Sequence, residues 1–129
     1  MNLNDNSYTT DINSCSEPLF SPGKVIVSEN IYHVSQEDED FTDKMVICLF
    51  NHSCNNSELT DNKTKYENMI NIKDNKGAVL NNYLIDGIEY VFVTYLHPSF
   101  KEPCLQKLFG NRDDVGDVIT THVMSKAEY

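Results

Sequence analysis

"VLNNYLIDGIEYVFVTYL", residues 79–96, is the stretch on which the fold turns. Two apolar runs flank Asp86-Gly87, a pair suited to a two-residue turn whose central residues both take positive φ. The stretch predicts a β-hairpin. Alternation along its second strand sends Tyr90, Phe92 and Thr94 to one face and Val91, Val93 and Tyr95 to the other. Apolar side chains on both faces mark a strand inside a sheet.

Further strand candidates lie on either side. "KMVICLF", residues 44–50, is a continuous apolar run between polar segments and reads as a buried strand. "KVIVSENIYHV", residues 24–34, is strand-like on both sides of Ser28-Glu29-Asn30, which would close a second hairpin or bend one strand. "DVITTHVM", residues 117–124, is β-branched enough for a last strand. "YENMINI", residues 66–72, fits helix and strand equally, and "DNKG", residues 74–77, is a turn signal. A short helix is expected around residues 102–109, with Pro103 early and Gly110 at its C-terminal cap.

The fold class predicted is α+β and mainly β. It would hold one small curled antiparallel sheet, barrel-like if it closes, with one or two short helices. Parallel crossovers would need long helices, which these patterns do not supply. Residues 1–22 read as a flexible polar N-terminal arm, tethered near Leu19 and Phe20 ahead of Ser21-Pro22-Gly23. Residues 23–129 form a single globular domain, long enough to bury a core without staples.

Charge narrows the function. The net charge is −10 over 129 residues. Residues 1–43 hold nine acids against one base, Lys24. A nucleic-acid binder needs cations to displace counterions from phosphates, so direct nucleic-acid binding is not expected. Anionic membrane surfaces are excluded on the same ground. The first 22 residues lack a basic segment followed by an apolar run, and no segment has the roughly 18 apolar residues of a membrane span. The expected location is the cytoplasm, of a cell or of an infected host. Four cysteines, Cys15, Cys48, Cys54 and Cys104, are then expected as reduced thiols.

Three sets of residues could carry chemistry. Cys48, His52 and Cys54 form a metal-like cluster, but their spacing matches no usual zinc pattern. Cys104 near a helix start, with His97 close in sequence, is a weak nucleophile candidate. No cofactor is expected: with five glycines in all, no Gly-rich phosphate loop is present. The acids Glu37, Asp38, Glu39, Asp40 and Asp43 lack the Gly and Glu positions of a calcium hand. Held at the rim of a sheet, with one turn of helix at most, they would instead face lysines and arginines of a partner. Tyr32, Phe41 and Tyr129 are candidate aromatic anchors beside them.

The expected function is a small, acidic, non-enzymatic protein-binding module. Its most specific version is a stoichiometric inhibitor that contacts the basic, nucleic-acid-binding surface of a larger protein, as a viral or mobile-element accessory protein would. One alternative is a small metal-binding or Cys/His-dependent enzyme. Another is a structural component that self-assembles through exposed strand edges.

Overall fold

A computed structural model describes residues 17–96 and 119–129 of the chain. The expected arm up to residue 16, the helix expected at 102–109, and Cys15, His97 and Cys104 lie outside the described residues. The described elements are β1 (Lys24–Val27), α1 (Glu29–Glu37), α2 (Glu39–Ser53), α3 (Asn62–Asp74), β2 (Ala78–Ile85), β3 (Ile88–Tyr95) and β4 (Thr120–Ser125).

The hairpin is where the sequence places it. β2 and β3 pair antiparallel from Ala78↔Tyr95 to Ile85↔Ile88. Asp86 and Gly87 close it with φ of 52° and 84°, so both take the left-handed region that a tight right-twisted hairpin needs. β4 pairs antiparallel with β3, and β1 pairs parallel with β4, giving the order β1-β4-β3-β2. The α+β class holds. The sheet is open and mixed, however, not antiparallel throughout. The long-helix requirement applies to strands that follow one another in the chain. β1 and β4 are the first and last described strands in chain order, so the elements between them serve as the crossover. Gly23 makes that approach possible: a Cβ there would lie 2.1 Å from the Ile119 carbonyl oxygen, and its φ is +63°.

Two segments expected as strands are helical. Ser28-Glu29-Asn30 is not a turn but the start of α1. The Ser28 hydroxyl accepts from the Ile31 N–H, and Glu29 sits in the first turn, where the helix dipole favours an acid. "KMVICLF" lies inside α2. Phe41, Met45, Cys48, Leu49 and His52 recur at helical spacing and turn toward the sheet. The run looked continuous because Val46, Ile47 and Phe50, on the opposite face, are apolar as well.

Both faces of β3 are buried, as its alternation predicts. On one face Tyr83, Ile85, Tyr90, Phe92 and Val123 meet Ile31 of α1 and Phe41 of α2. The Phe41 and Tyr90 rings meet edge to face at 5.5 Å, as do Tyr83 and Phe92 at 5.2 Å. On the other face Val91, Val93, Tyr95 and Met124 cluster with Ala78 and Leu80.

α3 is held differently. Its one buried residue is Asn68. The Asn68 side chain takes both outward backbone groups of Leu80: Oδ1 accepts from the Leu80 N–H at 3.0 Å, and Nδ2 donates to the Leu80 carbonyl at 2.8 Å. Asn71 Nδ2 donates to the Ala78 carbonyl at 2.8 Å. Farther along, Thr60 Oγ1 accepts from the Asn82 N–H, and Ser57 Oγ donates to the Asn82 carbonyl. Side chains thus stand where a fifth strand would pair, and the β2 edge is closed to strand addition.

Asn68→Ala should cost about 2–3 kcal/mol, because it strands the Leu80 amide and carbonyl without partners. Urea unfolding measures this, and a loss below about 0.5 kcal/mol would show that the edge is not held this way.

Candidate functional site

The acidic stretch is the junction between α1 and α2. Asp38 closes α1 and opens α2: its N–H donates to the Val34 carbonyl, and its Oδ1 accepts from the N–H groups of Asp40 at 3.0 Å and Phe41 at 3.3 Å. Glu39 and Asp40 occupy the first turn of α2. Part of the acidity is therefore structural, since carboxylates satisfy the free N–H groups and the positive end of the helix. The one-turn limit expected for this stretch fails because Asp38 caps a helix of 15 residues.

Glu37, Glu39, Asp40 and Asp43 are exposed. Between Ser28 and Ser53 the chain carries Glu29, Glu37, Asp38, Glu39, Asp40 and Asp43 against Lys44 alone. Lys44 is engaged elsewhere. Its ammonium donates to Asp86 Oδ1 of the hairpin turn at 2.5 Å, and that bond, then the Asp86 charge, raises its pKa. Asp40 and Asp38 add smaller upward contributions. Tyr32 and Tyr129 are exposed, as a partner anchor must be. Phe41 is 2% exposed and packs under Tyr90, so it cannot be one. Its place at i+3 from the cap points it into the core.

A cleft of about 490 Å³ opens between α1 and the ends of β3 and β4. Ile31 and Tyr90 form its floor, and Val34, Ile88 and Ala127 line its walls. Glu128 closes one side. Partial burial works to raise the Glu128 pKa, but bonds from the Ser125 N–H, the Ser28 and Ser125 hydroxyls and the Asn30 amide outweigh it, and the net shift is downward.

The metal-like residues do not converge. Cys48 packs against the core, and burial pushes its thiol up to about 11, so it stays protonated. Cys54 is disulfide-bonded, against the expectation of reduced thiols. His52 is fully buried, with both ring nitrogens engaged. Among the described residues no three His, Cys, Asp or Glu side chains gather to hold a metal ion.

His52 instead belongs to a chain of hydrogen bonds through the core. Asn81 Nδ2 donates to His52 Nδ1 at 3.0 Å, so Nε2 carries the proton and donates to Thr94 Oγ1 at 2.8 Å. Thr94 then donates to Thr121 Oγ1 at 2.5 Å, and Thr121 to the Pro22 carbonyl at 2.6 Å. Asn55 accepts from both Asn81 and Asn68, which fixes the amide orientations. The Phe20 ring meets the imidazole edge to face at 5.2 Å, and the Leu19 N–H donates to the Ser53 carbonyl, so the expected tether is present. A hydroxyl, an imidazole and an amide at these distances resemble a nucleophilic triad. The direction is wrong for one: Nε2 is a donor and has no lone pair for a hydroxyl proton. His52 and Thr94 also show no exposure to a substrate.

Two tests separate these roles. Burial lowers the His52 pKa to about 3, so the native ring stays neutral while the unfolded ring titrates near 6.5. Its contribution is complete above pH 6.5 and falls as the medium is acidified toward pH 3, by up to about 1.4 kcal/mol per pH unit. His52→Gln should flatten the stability profile by about that slope between pH 6 and 4, and equal slopes in the two proteins would disprove a neutral buried ring. Asp38→Ala should cost about 1 kcal/mol in thermal or urea unfolding, whereas Asp40→Asn should cost less than about half of that. Equal costs would mean that Asp38 is not the cap.

No helix among the described residues is long and apolar enough to cross a membrane. No protein-family model matches the chain, and neither a curated protein nor a solved structure is significantly similar to it.

Proposed function

We propose that the protein is a non-catalytic binding module that meets a basic surface of a larger protein through the α1–α2 junction. The observation that carries this reading is the charge arrangement. Four exposed carboxylates, on Glu37, Glu39, Asp40 and Asp43, share one helix junction, and the one lysine of α1 and α2, Lys44, is bonded to Asp86. Lys44, bonded to Asp86, offsets only part of their field, and the remaining negative field steers a cationic partner to the site. Tyr32 is exposed on α1 of the same junction and offers an aromatic contact there.

In its most specific form the module is a stoichiometric inhibitor whose carboxylates occupy a groove built for phosphates. The Cys54 disulfide favours a compartment oxidising enough to keep it, which weighs against a strictly cytosolic site of action. Self-assembly through sheet edges is disfavoured at β2, whose outward backbone groups at Ala78, Leu80 and Asn82 are occupied.

Binding of a fluorescent oligolysine should weaken steeply as salt rises from about 50 to about 200 mM. The quadruple variant Glu37→Gln, Glu39→Gln, Asp40→Asn, Asp43→Asn, which keeps the Asp38 cap, should slow association about tenfold or more in stopped-flow measurements at low salt. An unchanged association rate would remove the junction from the mechanism.

A further inference from the structure

The outward face of α2 is not that of an ordinary surface helix. Glu39, Asp43, Val46, Ile47 and Phe50 follow one another at helical spacing, opposite the buried Phe41 and His52 and the partly buried Met45 and Cys48. The face is thus acidic over its first half and apolar over its second. Val46 is 56% exposed, Ile47 52% and Phe50 37%. Leu19 is also exposed, and its N–H is bonded to the Ser53 carbonyl at the C-terminal end of the same helix. A solvated helix face is normally polar, and contiguous exposed apolar side chains mark an interaction surface.

We propose that this face docks an amphipathic helix of the basic partner. That helix runs antiparallel to α2, with apolar side chains in its first half and Lys or Arg in its last turn. The inference rests on the acidic-docking reading above and names the recognition element. Charge complementarity selects the occupant: cations must meet Glu39, Asp40 and Asp43 while apolar groups cover Val46, Ile47 and Phe50. The dipole selects the direction, because cations are favoured at a helix C-terminus and acids at an N-terminus, and an antiparallel pair brings those two ends together. The strip from Glu39 to Phe50 is about 17 Å long, the length of about three helical turns. A second copy of this chain fits poorly. Its own α2, laid antiparallel, would press carboxylates onto the apolar half, and each chain carries a net charge of −10.

The test uses the full chain and three fluorescent peptides of about 14 residues. The first has a leucine-rich first half and a lysine-rich second half. The second is its reversed-order isomer, and the third an oligolysine of equal charge. Anisotropy should show the first binding at least about tenfold tighter than oligolysine, through its apolar half, and about two- to fivefold tighter than its reversed isomer, through the dipole. The triple variant Val46→Gln, Ile47→Gln, Phe50→Gln keeps good helix formers. It should reduce the first peptide to the level of oligolysine and leave oligolysine itself unaffected. Equal binding of the first two peptides by the unmodified protein overturns the proposal, and so does binding of the first that survives the triple variant. If oligolysine binding responds to the acid-neutralising variant while these comparisons fail, only the helix proposal falls. If oligolysine binding ignores that variant too, the acidic-docking reading falls with it.

Discussion

One polar chain through the core holds the elements in register. His52 of α2 is bonded to Asn81 of β2 and Thr94 of β3, Thr94 to Thr121 of β4, and Thr121 to the carbonyl of Pro22 ahead of β1. Asn55 and Asn68 extend it to the segment after α2 and to α3. Every donor along this line points the same way, from the Asn81 amide to the Pro22 carbonyl. Buried polar groups are costly when unpaired, so each bond enforces the next. A shift of β2 by one residue would turn Asn81 to the other face and leave the imidazole with a lone pair facing hydrocarbon. The apolar clusters on the two faces tolerate some repacking, whereas this chain does not.

The same economy of side-chain bonds explains how a polar helix stays attached. α3 exposes Tyr66, Met69 and Ile70 and buries only Asn68, so apolar burial contributes little to its docking. It is fixed by amides that imitate a neighbouring strand along β2. The asparagine-rich composition, which from the sequence alone suggests loops and disorder, here supplies donor–acceptor pairs in a geometry that backbone edges require. The hairpin gains a protected edge without a fifth strand.

What could be read from the residues divides along physical lines. The hairpin was legible because its information is local: Asp86 and Gly87 set the turn, and period-2 alternation sets the faces. The last strand was legible from its β-branched content, although its parallel partner was not, because register between chain ends has no local signature. α1 is hidden in the sequence because Ser28 suits a turn as well as an N-cap, and only the buried Ile31 and the Glu128 bond decide between them. The acidic stretch is plain in the sequence, but its division of labour is not. A carboxylate that caps a helix and one that faces solvent look alike in sequence, and Asp38 and Asp40 differ only in what lies beside them. Phe41 resembles a surface anchor for the same reason, although it is buried.

α2 is the most instructive case, because the residues that disguised it are also those that give it an unusual surface. Phe41, Met45, Cys48 and His52 would have announced an amphipathic helix had the positions between them been polar. Val46, Ile47 and Phe50 filled those positions and made the segment resemble a strand buried on both sides. In the fold they face water, at the end of the helix away from the acids. The apolar area that Val46, Ile47 and Phe50 leave exposed adds nothing to the core, and solvent penalises it. A pattern that confuses the local code without serving the domain's own packing is the kind of inconsistency that accompanies a functional surface. The departure from helical patterning and the acidic bias of the junction are two ends of one strip, and a single cationic, amphipathic partner satisfies both.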